Sequence, residues 1–354
     1  MNFCSDNTTG VAPEIMEALA RANRGQDDSY GEDATTGRLV ARLSELFETD
    51  VAVFPVGTGT AANALALSVM TPPFGAVYCH REAHIAVDEC GAPEFYTGGA
   101  KLVPLDGRDG KLEADALNEA VAGAGVGDVH KAQPAVLSLT QASECGTVYS
   151  LDELAALAEV ARRHGLGLHM DGARLANALA TLGCTPAEAT WRAGVRVLSF
   201  GATKNGAMAA EAIVVFDRGL AAELAYRHKR GGHLFSKMRF LSAQLEAYVD
   251  DGLWLANAAH ANRLAAIFAE GLPAIPGAAL LFPVQANEVF VRLPEPVIDG
   301  LLADGFAFHR WPDDRSSAVR LVTAFNTREE DVRAFLETAD RYARETAQKT
   351  VGAQ

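Results

Sequence analysis

Apolar positions along this chain recur at two spacings. In 14–23 (EIMEALARAN) and 35–48 (TTGRLVARLSELFE) they fall every three or four residues, the period of an amphipathic helix, and 50–56 (DVAVFPV) is a short β-branched run that reads as a strand. Beyond the turn GTG, a helical segment (60–70) is followed by strand candidates at 75–80 and 100–106, and the pattern predicts a helix over 113–124. After a loose loop come a buried-strand run (134–140), a long helix (150–165), a strand (166–171), a helix (172–183) and two apolar runs around 197–216 that read as short strands. Apolar strands separated by amphipathic helices predict an α/β fold whose mainly parallel sheet is covered on both faces. From about residue 252 the rhythm changes to helix, strand (287–294), helix, strand (318–325) and a last helix, so we expect a large domain over 1–251 and a small C-terminal α+β domain over 252–354.

Two residues stand where such a sheet carries chemistry. Asp171 ends the strand 166–171, and ligands of open parallel sheets bind near strand C-termini, although an aspartate there also serves simply as a helix N-cap. Lys204 follows one helix and one strand later among Gly201, Ala202, Gly206 and Ala207, a setting that lets a flat ligand approach closely. A carboxylate and a desolvated lysine together suit a pyridoxal cofactor, the lysine forming a Schiff base and the carboxylate keeping the pyridinium nitrogen protonated. The phosphate of that cofactor needs an anion site. Gly57, Thr58, Gly59 and Thr60 supply one, because they follow a strand and open a helix whose first N–H groups have no partner inside it. His84 is a candidate to stack on the ring, against the ordinary reading of a core or surface histidine.

Charge and composition narrow the setting. The 354 residues are 49% hydrophobic and 21% charged, and 31 basic against 45 acidic residues give a net charge of −14, which disfavours nucleic acid and anionic lipid as partners. Neither an apolar run of membrane length nor a basic leader is present, so a soluble cytoplasmic protein is expected. Cys4, Cys79, Cys90, Cys145 and Cys184 are scattered with no C-x-x-C pair, which predicts free and mostly buried thiols and no metal site. Within this acidic chain, Arg227, His228, Lys229, Arg230, Lys237 and Arg239 form the positive run, readable as a solvated helix face, a subunit contact or help in holding a phosphate.

Taken in order, the motifs resemble those of the low-specificity threonine aldolases, in the β-eliminating lyase group of fold-type I pyridoxal-phosphate enzymes, which have the aspartate aminotransferase-like fold. The resemblance runs from SDNTTG (5–10) through YGEDATTGRL (30–39), GTGTAAN (57–63), HMDGARLANA (169–178) and SFGATKNGA (199–207) to RLVTAFNT (320–327). It implies pyridoxal 5'-phosphate as cofactor, Lys204 as its Schiff-base lysine, Asp171 as the pyridine-nitrogen partner, His84 on the ring face, and Gly59 and Thr60 on the phosphate. It also implies Ser5, Arg174 and Arg320 around a substrate carboxylate, Tyr30 near the same pocket, and cleavage of β-hydroxy-α-amino acids to glycine and an aldehyde by a homotetramer or homodimer. Lys229 is expected at a subunit interface, helping to hold a neighbouring chain's phosphate.

One segment departs from the family pattern. Where several members carry a histidine in Glu-Asn-Thr-His-Asn, this chain reads LTQASECGTVY (139–149), with Ser143 expected at that place. A serine there implies more room, acceptance of phenylserine-like substrates and weak discrimination between β-epimers. The competing readings are another fold-type I activity, β-elimination or transamination, and a pyridoxal-binding protein without turnover.

Overall fold

The computed structural model describes residues 1–311 and 316–352. Strands β1 (Ala52–Val56), β2 (Gly75–His80), β3 (Lys101–Leu105), β4 (Gln133–Thr140), β5 (Gly167–Gly172), β6 (Val197–Gly201) and β7 (Glu211–Val215) form one sheet in the order β1-β7-β6-β5-β4-β2-β3. The β2–β3, β2–β4, β4–β5 and β5–β6 pairs are parallel, whereas β7 runs antiparallel to both β6 and β1. The link 202–210 between β6 and β7 is too short for the crossover that parallel strands require, so β7 must turn back beside β6. Strands β2, β5 and β7 are buried along their whole length, which explains the mostly continuous apolar pattern of β2 and β7; in β5 the buried polar His169 and Asp171 alternate with Leu168 and Met170.

Helices cover the sheet as the three-to-four spacing predicts. Leu151–His164 begins with a capping box in which Ser150 accepts from the Glu153 N–H and Glu153 accepts from the Ser150 N–H. Its apolar face, with Leu154, Leu157 and Val160, enters the main core together with Leu137, Leu168 and Leu198 of the sheet. At the strand ends nearest the candidate residues the chain has no room for side chains: a Cβ at Gly201 would lie 2.6 Å from backbone atoms of Ala173.

A second, four-stranded antiparallel sheet lies in the C-terminal part: β8 (Ala279–Leu280), β9 (Glu288–Arg292), β10 (His309–Arg310) and β11 (Ala318–Val322), in the order β10-β11-β9-β8. Two of these strands, β8 and β10, are two residues long, too short to leave a periodic signal in sequence. The N-terminus joins this region. Phe3 donates its N–H to Ala307 O at 2.7 Å, accepts from Val322 N–H at 2.9 Å, and packs edge-on against Phe268 and Phe335. Burial of a ring of this size contributes about 1.5–3 kcal/mol, which fixes the start of the chain and with it the neighbouring Ser5 and Asp6. No described helix is long and apolar enough to cross a membrane. All five cysteines are free, but only Cys79 and Cys145 are buried; Cys4 and Cys184 are half-buried and Cys90 is exposed, so the expectation of mostly buried thiols fails.

Candidate active site

Lys204, Asp171, His84, Gly59 and Thr60 line one cavity of about 290 Å³. They come from four separate segments at the ends of the strands of the large sheet, Gly59 and Thr60 sharing the start of one helix. Lys204 sits in a single 3-10 turn, Thr203–Asn205, held on one side by Glu211, which accepts from Ala202 N–H at 2.8 Å. On the other side Asn205 donates to Tyr248 Oη and Trp254 O. Gly206, at φ 119°, reverses the chain immediately afterwards. The lysine is thus presented by a short turn tied down at both ends.

Asp171 occupies the end of β5 and is not the cap of the following helix, Leu175–Leu182, whose N-cap position is Arg174. Its Oδ1 accepts from Ala173 N–H at 3.0 Å and its Oδ2 from Asn63 Nδ2 at 2.7 Å. Asn63 also donates to Glu89 Oε1 at 2.8 Å, and the same oxygen accepts from His84 Nδ1 at 2.8 Å. Sequence reasoning missed Asn63 and Glu89. The available signal was Asn63 itself, a buried amide in the otherwise apolar helix Gly59–Met70. The Glu89 hydrogen bond, opposed by partial burial, holds the His84 imidazole above its ordinary pKa, while burial raises the Glu89 carboxyl against the pull of His84 and Asn63. Beneath the cavity, His169 bridges Ser138 Oγ and Ser199 Oγ, and burial pushes its pKa down to about 4, leaving it a neutral link across β4, β5 and β6.

The helix Gly59–Met70 opens with Thr58 as N-cap, its hydroxyl accepting from Ala61 N–H at 3.2 Å, and its first internal bond runs from Ala62 N–H to Thr58 O. The N–H groups of Gly59 and Thr60 come before that bond. A Cβ at Gly59 would meet nothing within 4 Å, so the backbone borders open space suited to an anion.

Ser5, Tyr30, Arg174, Arg320 and Lys229 are absent from the cavity wall. Arg174 is buried and occupied: its Nε and Nη2 donate to Asp6 at 2.9 and 3.2 Å, and its Nη1 pairs with Glu288 at 3.1 Å. Burial opposes its charge, but the two carboxylates raise its pKa further. Asp6 connects this cluster to the cavity: burial pushes its carboxyl up, yet Arg174 and then Lys204 outweigh burial and hold it below the usual range. Arg320 donates from Nη2 to Cys4 O at 3.2 Å, and its buried Nε has no partner. Ser5 Oγ accepts from Asn7 N–H, ordering the turn that places Asp6. Tyr30 lies outside, its exposed ring 4.7 Å beneath the Lys229 ammonium.

Two further expectations need correction. His228 does not belong to the surface basic run: it is buried and donates from Nε2 to Pro55 O at 2.9 Å, and burial keeps it neutral. Ser143 does not widen the pocket. It is fully buried, with its hydroxyl 2.7 Å from Thr147 Oγ1, and the half-buried residue of that loop is its neighbour Glu144, whose charge acts on both His84 and Arg174.

Comparison with known proteins identifies the family. The family model described as "Beta-eliminating lyase" matches residues 2–296. The chain is 45% identical to the low specificity L-threonine aldolase of a Pseudomonas species and 46% identical to that of Pseudomonas aeruginosa, in each case over 94% of both proteins. A threonine aldolase structure from Leishmania major superposes with a TM-score of 0.90 at 30% identity, covering 97% of this chain and 99% of that one. The chain therefore belongs to the β-eliminating lyase family, among its low specificity L-threonine aldolases.

Proposed function

We propose that this protein is a pyridoxal-phosphate-dependent aldehyde lyase that cleaves L-threonine and L-allo-threonine to glycine and acetaldehyde, and that it also takes β-hydroxy-α-amino acids with aryl side chains. The observation that carries the reading is the meeting of Lys204, Asp171, His84 and the Gly59–Thr60 N–H groups on one cavity. Acceptance of larger side chains is supported by the small residues of that wall, among them Gly57, Ala62, Ala173 and Gly201.

The residues present fit the cofactor: free helix N–H groups for its phosphate, a buried carboxylate for its ring nitrogen, an imidazole for its ring face and a lysine for its aldehyde. When bound, pyridoxal phosphate supplies an electron sink for the bond broken in the substrate. The chain supplies the rest. Asn63 and the Ala173 N–H fix the Asp171 carboxylate so that its charge meets the ring nitrogen without reorganisation. Arg320, with Arg174 behind it and Ser5 in the adjoining turn, receives the substrate carboxylate and so decides which bond of the substrate is aligned for cleavage. His84 takes the β-hydroxyl proton, directly or through a water it holds, while Glu89 fixes its other nitrogen. Lys204 would hold the aldehyde of the cofactor and supply the amine on which glycine release depends. Lys229 and Tyr30, paired on an exposed face, are assigned to a neighbouring subunit's phosphate in a homodimer or homotetramer.

The test is to assay purified protein with each threonine epimer and with phenylserine for aldehyde release, and to treat it with borohydride before peptide mapping. Cofactor fixed on Lys204, with both colour and fixation lost in Lys204→Ala, is expected; cofactor fixed on another lysine overturns the site.

A further inference from the structure

Behind Lys204, Asp6, Glu144 and Glu288 act on the guanidinium of Arg174, and Glu288 also faces that of Arg320. Lys204 acts on Asp6 as well, but its amine is the one assigned to the cofactor, which leaves three carboxylates for the two guanidiniums. Their anchoring is unequal. Asp6 accepts from Arg174 twice and from Asn287 at 3.0 Å, and Glu144 is half-buried with access to water. Glu288, on the first position of β9, is 1% exposed and neither oxygen accepts a hydrogen bond; its contact with Arg174 Nη1 is an ion pair without hydrogen-bond geometry. Arg320 projects from the same face of the small sheet, because Glu288 pairs with Val322, two residues along β11. Its unpartnered Nε is the complementary vacancy in hydrogen bonding.

We propose that Glu288 is the proton acceptor that lets a substrate carboxylate enter this cluster: the acid arrives together with one proton, which goes to Glu288 and leaves again with glycine. The inference rests on the reading of the site given above. A fourth carboxylate beside two guanidiniums adds uncompensated negative charge in a region shielded from water, and the cost is removed when the carboxylate least supported by hydrogen bonds is neutralised. Glu288 is already close to that point. Burial pushes its pKa up to about 7, against the pull of Arg174 and Arg320 and with the push of Glu144 and Asp6. The remaining titratable neighbour, Cys145, is buried and its pKa is itself pushed up to about 12, so it remains a neutral thiol. Asp6 is held ionised by Arg174 and cannot take the proton in its place.

Propionate is a suitable probe, since it offers a carboxylate without an amine whose own titration would intervene. With full-length protein carrying its cofactor, its inhibition constant against L-threonine cleavage is measured from pH 6 to 9 in wild type and Glu288→Gln. The wild-type constant should be flat below neutral pH and rise above it towards about tenfold per pH unit, the limit for one linked proton. Glu288→Gln, permanently neutral, should be nearly flat and bind propionate up to roughly a hundredfold more tightly at pH 9, two units above neutrality. A pH indicator in weak buffer at pH 8 should record uptake of up to one proton per chain when wild type binds propionate. Equal slopes in the two proteins overturn the proposal, and so does an absence of proton uptake, which decides alone if the variant does not fold. Failure of the underlying reading shows separately, as a wild type that cleaves no threonine.

Discussion

Asp171 and Asp6 are both buried aspartates close to Lys204, 4% and 2% exposed, and they are satisfied in opposite ways. Asp171 receives hydrogen bonds from an amide side chain and a backbone N–H, both neutral, and makes no ion pair among the described residues. Asp6 is bound twice by Arg174 and once by Asn287. A buried carboxylate held by neutral donors keeps its charge for a ligand still to come, whereas one locked on a guanidinium has spent its charge on the fold. The contrast separates a residue kept for chemistry from one that builds the wall behind it, and substitutions at the two positions should fail differently.

The largest effect is expected at Asp6. Removing one partner of a buried ion pair leaves the other uncompensated, so Asp6→Ala should lose about 3–5 kcal/mol of stability, read as a lower urea midpoint. Because the Asp6 carboxyl is held below its ordinary range, its contribution is present above about pH 4 and is lost as the pH falls through the folded value. Asp6→Asn should accordingly show a flatter acid limb of stability than wild type. A loss below about 1 kcal/mol, the scale of an exposed pair, would mean that Glu288 alone compensates Arg174 and that the contrast with Asp171 is false.

Asp171→Ala should leave folding nearly intact while lowering kcat on the order of a hundredfold, with a smaller change in KM, since its charge acts on the reacting state more than on the bound substrate. Asp171→Asn should fall between the two. Near-normal kcat with a marked drop in Tm would place Asp171 with Asp6 among residues of the fold.

The same contrast explains what was legible in the sequence. Lys204, Asp171, Gly59 and Thr60 stand in short segments where small residues or a strand-to-helix change mark the position, so local pattern singled out residues that share one cavity. Arg174 was legible only through the family resemblance, and its partners come from residue 6 and residue 288, segments that no spacing rule joins. Ser143 misled because loop residues carry no periodic signal that says which side chain faces inward. Glu89 was missed for a related reason: it looks like a surface acid in VDEC until the helix Gly59–Met70 places Asn63 against it. The antiparallel β7, by contrast, was available from the shortness of the link 202–210.

A smaller shift is expected in pH dependence. His84 is held above its ordinary pKa mainly by Glu89, so an imidazole that must be neutral to take the hydroxyl proton becomes active as the pH rises through that raised value. In Glu89→Gln the acid limb of kcat should move to lower pH. An acid limb that stays in place would transfer the base to another group, with Glu144 the nearest candidate by charge.

The smallest effect on activity belongs to Ser143, and it distinguishes a buried residue from its half-buried neighbour within a single loop. Its hydroxyl lies 2.7 Å from Thr147 Oγ1 and 3.3 Å from the Cys145 and Thr147 N–H groups, all inside the protein. In Ser143→Ala, Thr147 Oγ1 keeps its own bond to Asp109 O at 2.6 Å, while the buried Cys145 and Thr147 N–H groups lose the serine as acceptor, a cost of about 1–3 kcal/mol. Substrate choice should not follow. The ratios of kcat/KM for threonine, allo-threonine and the two phenylserine epimers should match wild type within about twofold, because the side chain is fully buried and does not line the cavity. Glu144→Gln is the matched control: its charge acts on His84 and Arg174, the two groups assigned to the hydroxyl and carboxylate ends of the substrate, so those ratios should change there with little loss of Tm. An epimer preference that shifts in Ser143→Ala and not in Glu144→Gln would put the serine back in the pocket and leave Glu144 without a part in substrate choice.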